Sequence, residues 1–399
     1  MADQQSSNPR FAAALSTASE PLRAATEVAS AAHAQLGVAA DLGFLFVSAQ
    51  FAGDIARIAA RVVELTGVRC LLGATGESIV GGELEIEEAP AVSLWLARLP
   101  HTRLLPLRLE FERSPEGGVI VGWPDELSGD WPAGATLLLL AEPFSFPADY
   151  LLERLNADQP GVQVLGGMAS GGWEPGQNRL VDAQGEFDSG AIGVLIDGGV
   201  RVRSVGSQGC RPVGRHFVIT KAERNVIHEL SGRPALERLQ EVYRELTEAD
   251  QALVRQGLHV GRVMNEYQED FQRGDFLVRN VIGADNASGA IAIGDFVKAG
   301  QTVQFNVRDA ATADEDLRDL LRAGVASSSG VGDRGALLFT CNGRGSRLFD
   351  QPHHDARLIQ ELAGPLPLAG FFAQGEIGPV AGKNFVHGFT ASVALFEAV

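Results

Sequence analysis

The stretch PLPLAGFFAQGEIGPVAGKNFVHGFTASVALF, residues 365–396, decides how the fold of this chain is read. Residues 367–372 form a short apolar run, the pattern of a strand buried on both faces. The run passes into Gln374-Gly375-Glu376 and further glycine-containing turns. Strand patterning returns at 385–389 and 392–396. Glu376 therefore stands where burial is expected, and a buried carboxylate is costly unless it is paired. Upstream, ALLFTC (336–341) reads as another buried strand that ends in Asn342-Gly343-Arg344-Gly345. An arginine and a glutamate thus stand at the ends of two buried strands. One reading is a fixed Arg344–Glu376 pair. The other is a ligand-binding cleft, in which Arg344 holds a carboxylate with its planar fork and Glu376 meets an ammonium group. On that reading Asn342 and the backbone of Gly343, Gly345 and Gly375 complete the polar shell, because clefts form where loops meet at strand ends.

Outward from this tract the chain alternates strand and helix signals. LGFLFVSA (42–49), residues 68–72 and 135–141 read as buried strands. Residues 52–65 are amphipathic with helical spacing, and the first strands with this helix make a βαβ unit. Residues 83–87, 92–99 and 105–111 alternate apolar and polar, the mark of antiparallel strands with one wet face. A helix at 147–156 starts near Pro147. A strand at 162–165 runs into the loop GGMASGG (166–172), followed by strands near 190–196, 200–204 and 214–220. Residues 10–36 are alanine-rich at helical spacing and are expected to form two helices split at Pro21, a leading appendage. The second half repeats the style, with strands near 259–264, 276–282, 290–293 and 302–307, a helix at 312–322 capped by Asp309, and a helix at 353–362. The fold class expected is α+β, in two domains with mixed, largely antiparallel sheets flanked by helices. The boundaries are 1–39 for the helical extension, 40–232 and 233–399. No tandem repeat of solenoid length is visible.

Composition narrows the function classes. The 399 residues carry 50 Asp and Glu against 33 Lys and Arg, a formal charge of −17. Such a surface repels phosphate backbones and anionic lipid, so neither nucleic acid nor membrane is expected as a partner. No apolar run approaches the about 20 residues of a membrane span. The start MADQQSSNPR lacks the form of a signal peptide. Cys70, Cys210 and Cys341 are too scattered for a disulfide framework, so a cytoplasmic location is expected. No cofactor and no metal site are expected, since the cysteines and histidines lack metal-ligand spacing. GVGDRG (330–335) has dinucleotide-fingerprint glycines but precedes a strand instead of following one, and reads as a turn. Ser170 in GGMASGG is off register for a nucleophile elbow and reads as a loop residue. Cys341 is either a small buried hydrophobe or a thiol activated by Arg344 or a histidine, with His353, His354 and His387 as candidates.

In the first half LLGATGES (71–78), VLGGMASGG (164–172) and SQGCRPVGRHFVITKAERNVIHELSGRPAL (207–236) resemble the FIST family. In the second half DFLVRNVIGAD (275–285), GQTVQFNVRDA (300–310), ALLFTCNGRG (336–345) and PLAGFFAQGEIGP (367–379) do the same. The order and spacing of these segments carry the resemblance, which runs from about residue 40 to the end. It implies a sensory protein with an N-terminal and a C-terminal FIST domain that binds a small ligand, with amino acids and their metabolites as the class. Relatives fuse the module to kinase, chemotaxis, cyclic-nucleotide or F-box parts. Residues 1–39 are too few for such an output domain, so the expected signal passes through an unidentified partner protein or through a change of oligomeric state. The resemblance carries over no catalytic residues. The competing expectations are a hydrolase or transferase with Cys341 as nucleophile, and a scaffold that docks a partner through the N-terminal helices.

Overall fold

The computed structural model describes residues 8–114, 117–268, 271, 274–326 and 332–399. The polar start at residues 1–7 and positions 327–331 of the Ser/Gly loop, including Gly330 and Val331, lie outside the described residues. Two compact units form: residues up to 206 together with 318–399, and residues 207–317. The chain leaves the first unit and returns to it, so both ends of the sequence build one body.

The first unit is one topology used three times. In the first copy the parallel strands Leu42–Ser48 and Cys70–Gly76 flank the helix Ile55–Thr66, and Val92–Arg98 pairs antiparallel with the first strand. The second copy has Thr136–Ala141, the helix Ala148–Asp158, Gln163–Met168 and the antiparallel Ala191–Gly198. The third has Gly335–Cys341, the helix His354–Ala363, Leu368–Ala373 and the antiparallel Ala391–Ala398. A leading strand flanks the antiparallel strand of each copy: Arg10–Ser16 and Val200–Ser207 at the sheet edge, and Thr102–Ser114 with Gly117–Val121 outside it.

One glycine recurs at the same register in all three copies. Gly73 lies opposite Leu45, Gly166 opposite Leu139 and Gly370 opposite Leu338. A Cβ at these positions would stand 2.5, 1.8 and 1.9 Å from the facing leucine's carbonyl oxygen. No side chain fits there, so glycine lets the two strands approach.

After its second strand each copy sends a hairpin to a neighbour's sheet. Ile79–Gly81 joins Leu368–Ala373, Leu180–Asp182 joins Cys70–Gly76, and Glu376–Val380 joins Gln163–Met168. The exchange is cyclic and ties three sequence-distant segments into one core. Phe46, Phe339 and Phe371 meet in its middle, with ring centroids 5.1 to 6.2 Å apart.

The α+β class and most strands match the sequence reading. Four details differ. Residues 10–16 are a strand, not a helix, and only Pro21–Leu36 is helical. Glu20 caps that helix by accepting from the backbone N–H of Leu22 and Arg23. Its alanine face is buried, with Ala24, Ala25, Ala29 and Ala32 at 0% exposure. Small residues at helical spacing signalled the helix, but the alanines of 12–14 gave the same signal where sheet pairing to Val92–Arg98 prevails. Second, Val92–Arg98 is antiparallel as expected but buried on both faces except at its last residue, because further layers cover the sheet on either side. Third, Gly166-Gly167-Met168 belong to a strand instead of a loop. Fourth, Glu376–Val380 is a strand where glycine turns were expected.

The second unit holds an antiparallel sheet that includes Cys210–Glu223, Thr302–Arg308, His259–Val263, Phe276–Asp285 and Ala290–Ile293. The helices Ala235–Glu245 and Glu248–Gln256 accompany it, and its core includes Phe217, Ile219, Ile291 and Phe305. Asp309 caps the helix Ala310–Ala326, accepting from the Thr312 N–H at 2.8 Å, as the sequence indicated.

Candidate functional site

The third copy departs from its sisters at two equivalent positions, both at strand ends. By register against the shared glycines, Glu376 occupies the place held by Ile79 in the first copy and Leu180 in the second. Both of those are apolar and fully buried. The fold accepts a hydrocarbon here, yet the third copy places a carboxyl with 0% exposure. Oε2 of Glu376 accepts from the Thr390 N–H at 2.9 Å. Oε1 is buried with no oxygen or nitrogen partner. Burial pushes this carboxyl well above the usual carboxylate range; the Thr390 N–H, the Cys341 thiol and the charge of Arg344 act against that rise.

The second departure is Cys341. It ends its strand three residues beyond Leu338, where the first copy has Ser48 and the second Glu142. Glu142 takes the N–H groups of Phe144 and Ser145 at 2.9 and 2.8 Å on one carboxylate oxygen. Cys341 Sγ takes the N–H of Gly343 at 3.4 Å. The same backbone turn thus cradles a carboxylate in one copy and a sulfur in the other. Cys341, Asn342 and Gly343 are partly exposed, so solvent reaches this strand end.

Arg344 is fully buried but does not bond to Glu376. Its Nε and Nη2 bind Asp355 Oδ2 and Oδ1 at 2.7 and 2.8 Å, a fork-to-fork pair, while Nη1 lies 3.4 Å from the Phe389 carbonyl. Thr340 Oγ1 also donates to Asp355, at 2.8 Å, and His354 Nδ1 lies 2.9 Å from it. Burial opposes ionisation of the Asp355 carboxyl, but Arg344 and His354 hold it far below its ordinary range. The guanidinium fork is therefore occupied, which corrects both the Arg344–Glu376 pair and the role of ligand-carboxylate clamp. Arg344 still acts on Glu376 through its charge.

Asn342 Oδ1 is buried without a partner. Gly345 has φ +58°, and a Cβ there would meet Glu87 Oε1 at 2.7 Å; its absence lets that carboxylate reach Ser346. Gly375 accepts from the Met168 N–H at 2.8 Å and packs against Val386. Through this bond GGMASGG meets QGEIG, two segments more than 200 residues apart in sequence. Ser170 Oγ takes the Glu77 N–H at 2.8 Å and donates to the Phe372 carbonyl, so it ties strand ends together. His353 Nδ1 lies 3.0 Å from the Glu85 backbone, and His387 Nε2 lies 2.9 Å from the Gly378 carbonyl.

The sequence reading missed Asp355, Glu85 and Thr390. Asp355 lies in the first turn of a helix, where an acidic residue reads as complementing the helix dipole. Glu85 sits in a short hairpin strand and accepts from the Ala356 N–H at 2.9 Å. Nothing local in ELEIE marks it as buried.

Among the described residues no group of three or more His, Cys, Asp or Glu is placed to hold a metal ion, and no helix is long and apolar enough to cross a membrane. The cysteines are joined by no disulfide.

Sequence comparisons place this mixed-sheet chain in a family. The FIST N domain model matches residues 41–233 and the FIST C domain model residues 235–379. The chain belongs to the FIST family, a family of sensory-type domains. The junction of the two matches falls within the second compact unit. Among its relatives is an uncharacterized protein of Mycobacterium tuberculosis, 44% identical over 388 residues that cover 97% of this chain and 99% of the relative. An uncharacterized protein of Mycobacterium bovis is 42% identical over 388 residues, covering 97% and 98%.

Proposed function

We propose that this protein is a cytoplasmic sensor that binds a small amine-bearing metabolite, an amino acid or a relative of one, around Glu376 and signals through a protein partner. The observation that carries the reading is Glu376 itself, a buried carboxyl whose Oε1 has no oxygen or nitrogen partner, where two sister copies use apolar side chains. Buried polar atoms are normally satisfied, and an exception in a native protein points to a ligand or to chemistry. Asn342 Oδ1 supplies a second open acceptor, so the site favours a ligand rich in N–H donors. Gly343, Gly345 and Gly375 bound the site, and Arg344, held by Asp355, fixes the turn between them.

The test is a thermal-shift screen against amino acids, amines and small carboxylates, followed by calorimetry on any hit. A ligand at 100 times its dissociation constant stabilises the native state by about 2.7 kcal/mol. Glu376→Gln is expected to weaken binding of an amine by about tenfold or more while the protein stays folded. Binding an ammonium group favours the ionised carboxylate, so a proton leaves Glu376 on binding. The complex then holds fewer protons than the free protein, and affinity rises with pH until Glu376 ionises in the free form. A hit whose affinity neither responds to Glu376→Gln nor releases protons places its ligand elsewhere.

A further inference from the structure

We infer that Cys341 is an oxidant-reactive thiol site, with Gly343 N–H cradling its thiolate and Glu376 sharing a proton with the sulfur and hydrogen-bonding the oxidised product. This goes beyond ligand binding and needs no bound metabolite. Three observations carry it. Cys341 is partly exposed at the end of an otherwise buried strand, so a small oxidant reaches it. Its sulfur accepts the Gly343 N–H at 3.4 Å, at the position where one Glu142 oxygen accepts two N–H groups in the second copy. The Glu376 carboxyl, fully buried and with Oε1 otherwise unpartnered, lies within hydrogen-bond reach of the thiol.

The chemistry follows from the proton count. Cys341 and Glu376 together carry two protons when neutral. Loss of one leaves the other shared between carboxyl and sulfur, and the thiolate, which is the nucleophile, is held by the Gly343 N–H and the nearby positive charge of Arg344. With hydrogen peroxide as oxidant, the thiolate attacks one peroxide oxygen. An S–O bond forms and the O–O bond breaks. The sulfur is oxidised by two electrons and the peroxide reduced by two. The departing hydroxide takes the Glu376 proton and leaves as water. The new sulfenic O–H then faces the ionised Glu376 carboxylate, a charge-assisted hydrogen bond that holds the product.

Cys70 is the internal control, because burial and the Asp182 charge push its thiol up to about 11, and Cys210 is buried. The experiment exposes the full-length protein to dilute hydrogen peroxide and follows each cysteine peptide by mass spectrometry over time. The expected result is oxygen uptake at Cys341 at least about tenfold faster than at Cys70, in line with thiolate character governing susceptibility. Glu376→Gln is expected to slow Cys341 by about tenfold, the weight of one hydrogen bond to a charged group, with Cys70 unchanged. Cys341 oxidising no faster than Cys70, or at the wild-type rate in Glu376→Gln, overturns the inference. Should the glutamine variant fail to fold, the Cys341-to-Cys70 ratio in the wild-type protein decides. The readout involves no metabolite, so an inert Cys341 leaves the ligand reading standing, and a reactive Cys341 with no ligand hit leaves this one standing.

Discussion

Asp355 and Glu376 are both buried carboxyls near Arg344, yet they do opposite work. Asp355 neutralises a guanidinium that has no access to water. Its replacement by alanine strands a buried charge, and the expected loss is about 3–5 kcal/mol of stability by urea denaturation. Glu376 holds one backbone N–H and stands where Ile79 and Leu180 serve the same fold. Glu376→Leu therefore costs less than about 1 kcal/mol, since apolar volume replaces a desolvated acid even though the Thr390 N–H loses its acceptor. Equal losses for the two variants in the same denaturation series would show that Glu376 is a structural residue. At this scale the sequence marked Glu376 correctly as an anomaly but paired it with the wrong partner. Arg344 had two carboxyls in reach, and only the helix that begins at His354 determines which one meets its fork.

At the scale of elements, the hairpin strand Leu84–Ile86 shows how one copy's strand stabilises another copy's helix. Glu85 takes the Ala356 N–H in the first turn of His354–Ala363, where helix N–H groups lack intrahelical partners. Burial, then the negative charge of Asp355, push its carboxyl up to about 8. The folded state thus holds a proton that the unfolded state releases above about 4.5, and stability falls as pH rises from about 4.5 to 8. Glu85→Gln removes that titration. Its melting temperature is expected to be flatter than wild type across this window, with the gap in its favour widest at the alkaline end. Parallel melting curves across the pH series would remove Glu85 as the cause. The elements themselves were largely legible. Buried strands announced themselves by short apolar runs, and the amphipathic helices by their spacing. The hairpins were only partly legible: 83–87 and 385–389 carried strand patterning, but such short strands carry little period and their pairing partners in the neighbouring sheets lie far away in sequence.

At the scale of the whole molecule, the cyclic exchange of hairpins makes the first unit a single cooperative body. Its N-terminal piece is integral to it. Arg10–Ser16 pairs along its whole length with Val92–Arg98, and Pro21–Leu36 buries six side chains. Deleting residues 1–36 exposes that surface and removes an edge strand's hydrogen bonds. The expected loss exceeds the about 5–15 kcal/mol that holds typical domains together, so the truncated protein is expected in the insoluble fraction. A soluble, folded truncation that merely lost a bound protein would restore the view of this segment as a docking arm.

The sequence by itself determined the α+β class, the position of most strands and helices, the family, and the strand ends where the unusual polar residues gather. Each of these is written in local patterns: apolar runs, helical spacing, glycine at fixed offsets. Tertiary structure alone decided that the first unit is three copies of one topology with the second unit threaded between the leading strand and first strand of the third copy. It also decided that Arg344 belongs to Asp355 and that Glu376 faces Cys341. These outcomes depend on which segments lie side by side after hairpins cross between sheets. That is a property of long-range strand register, and no local period encodes it.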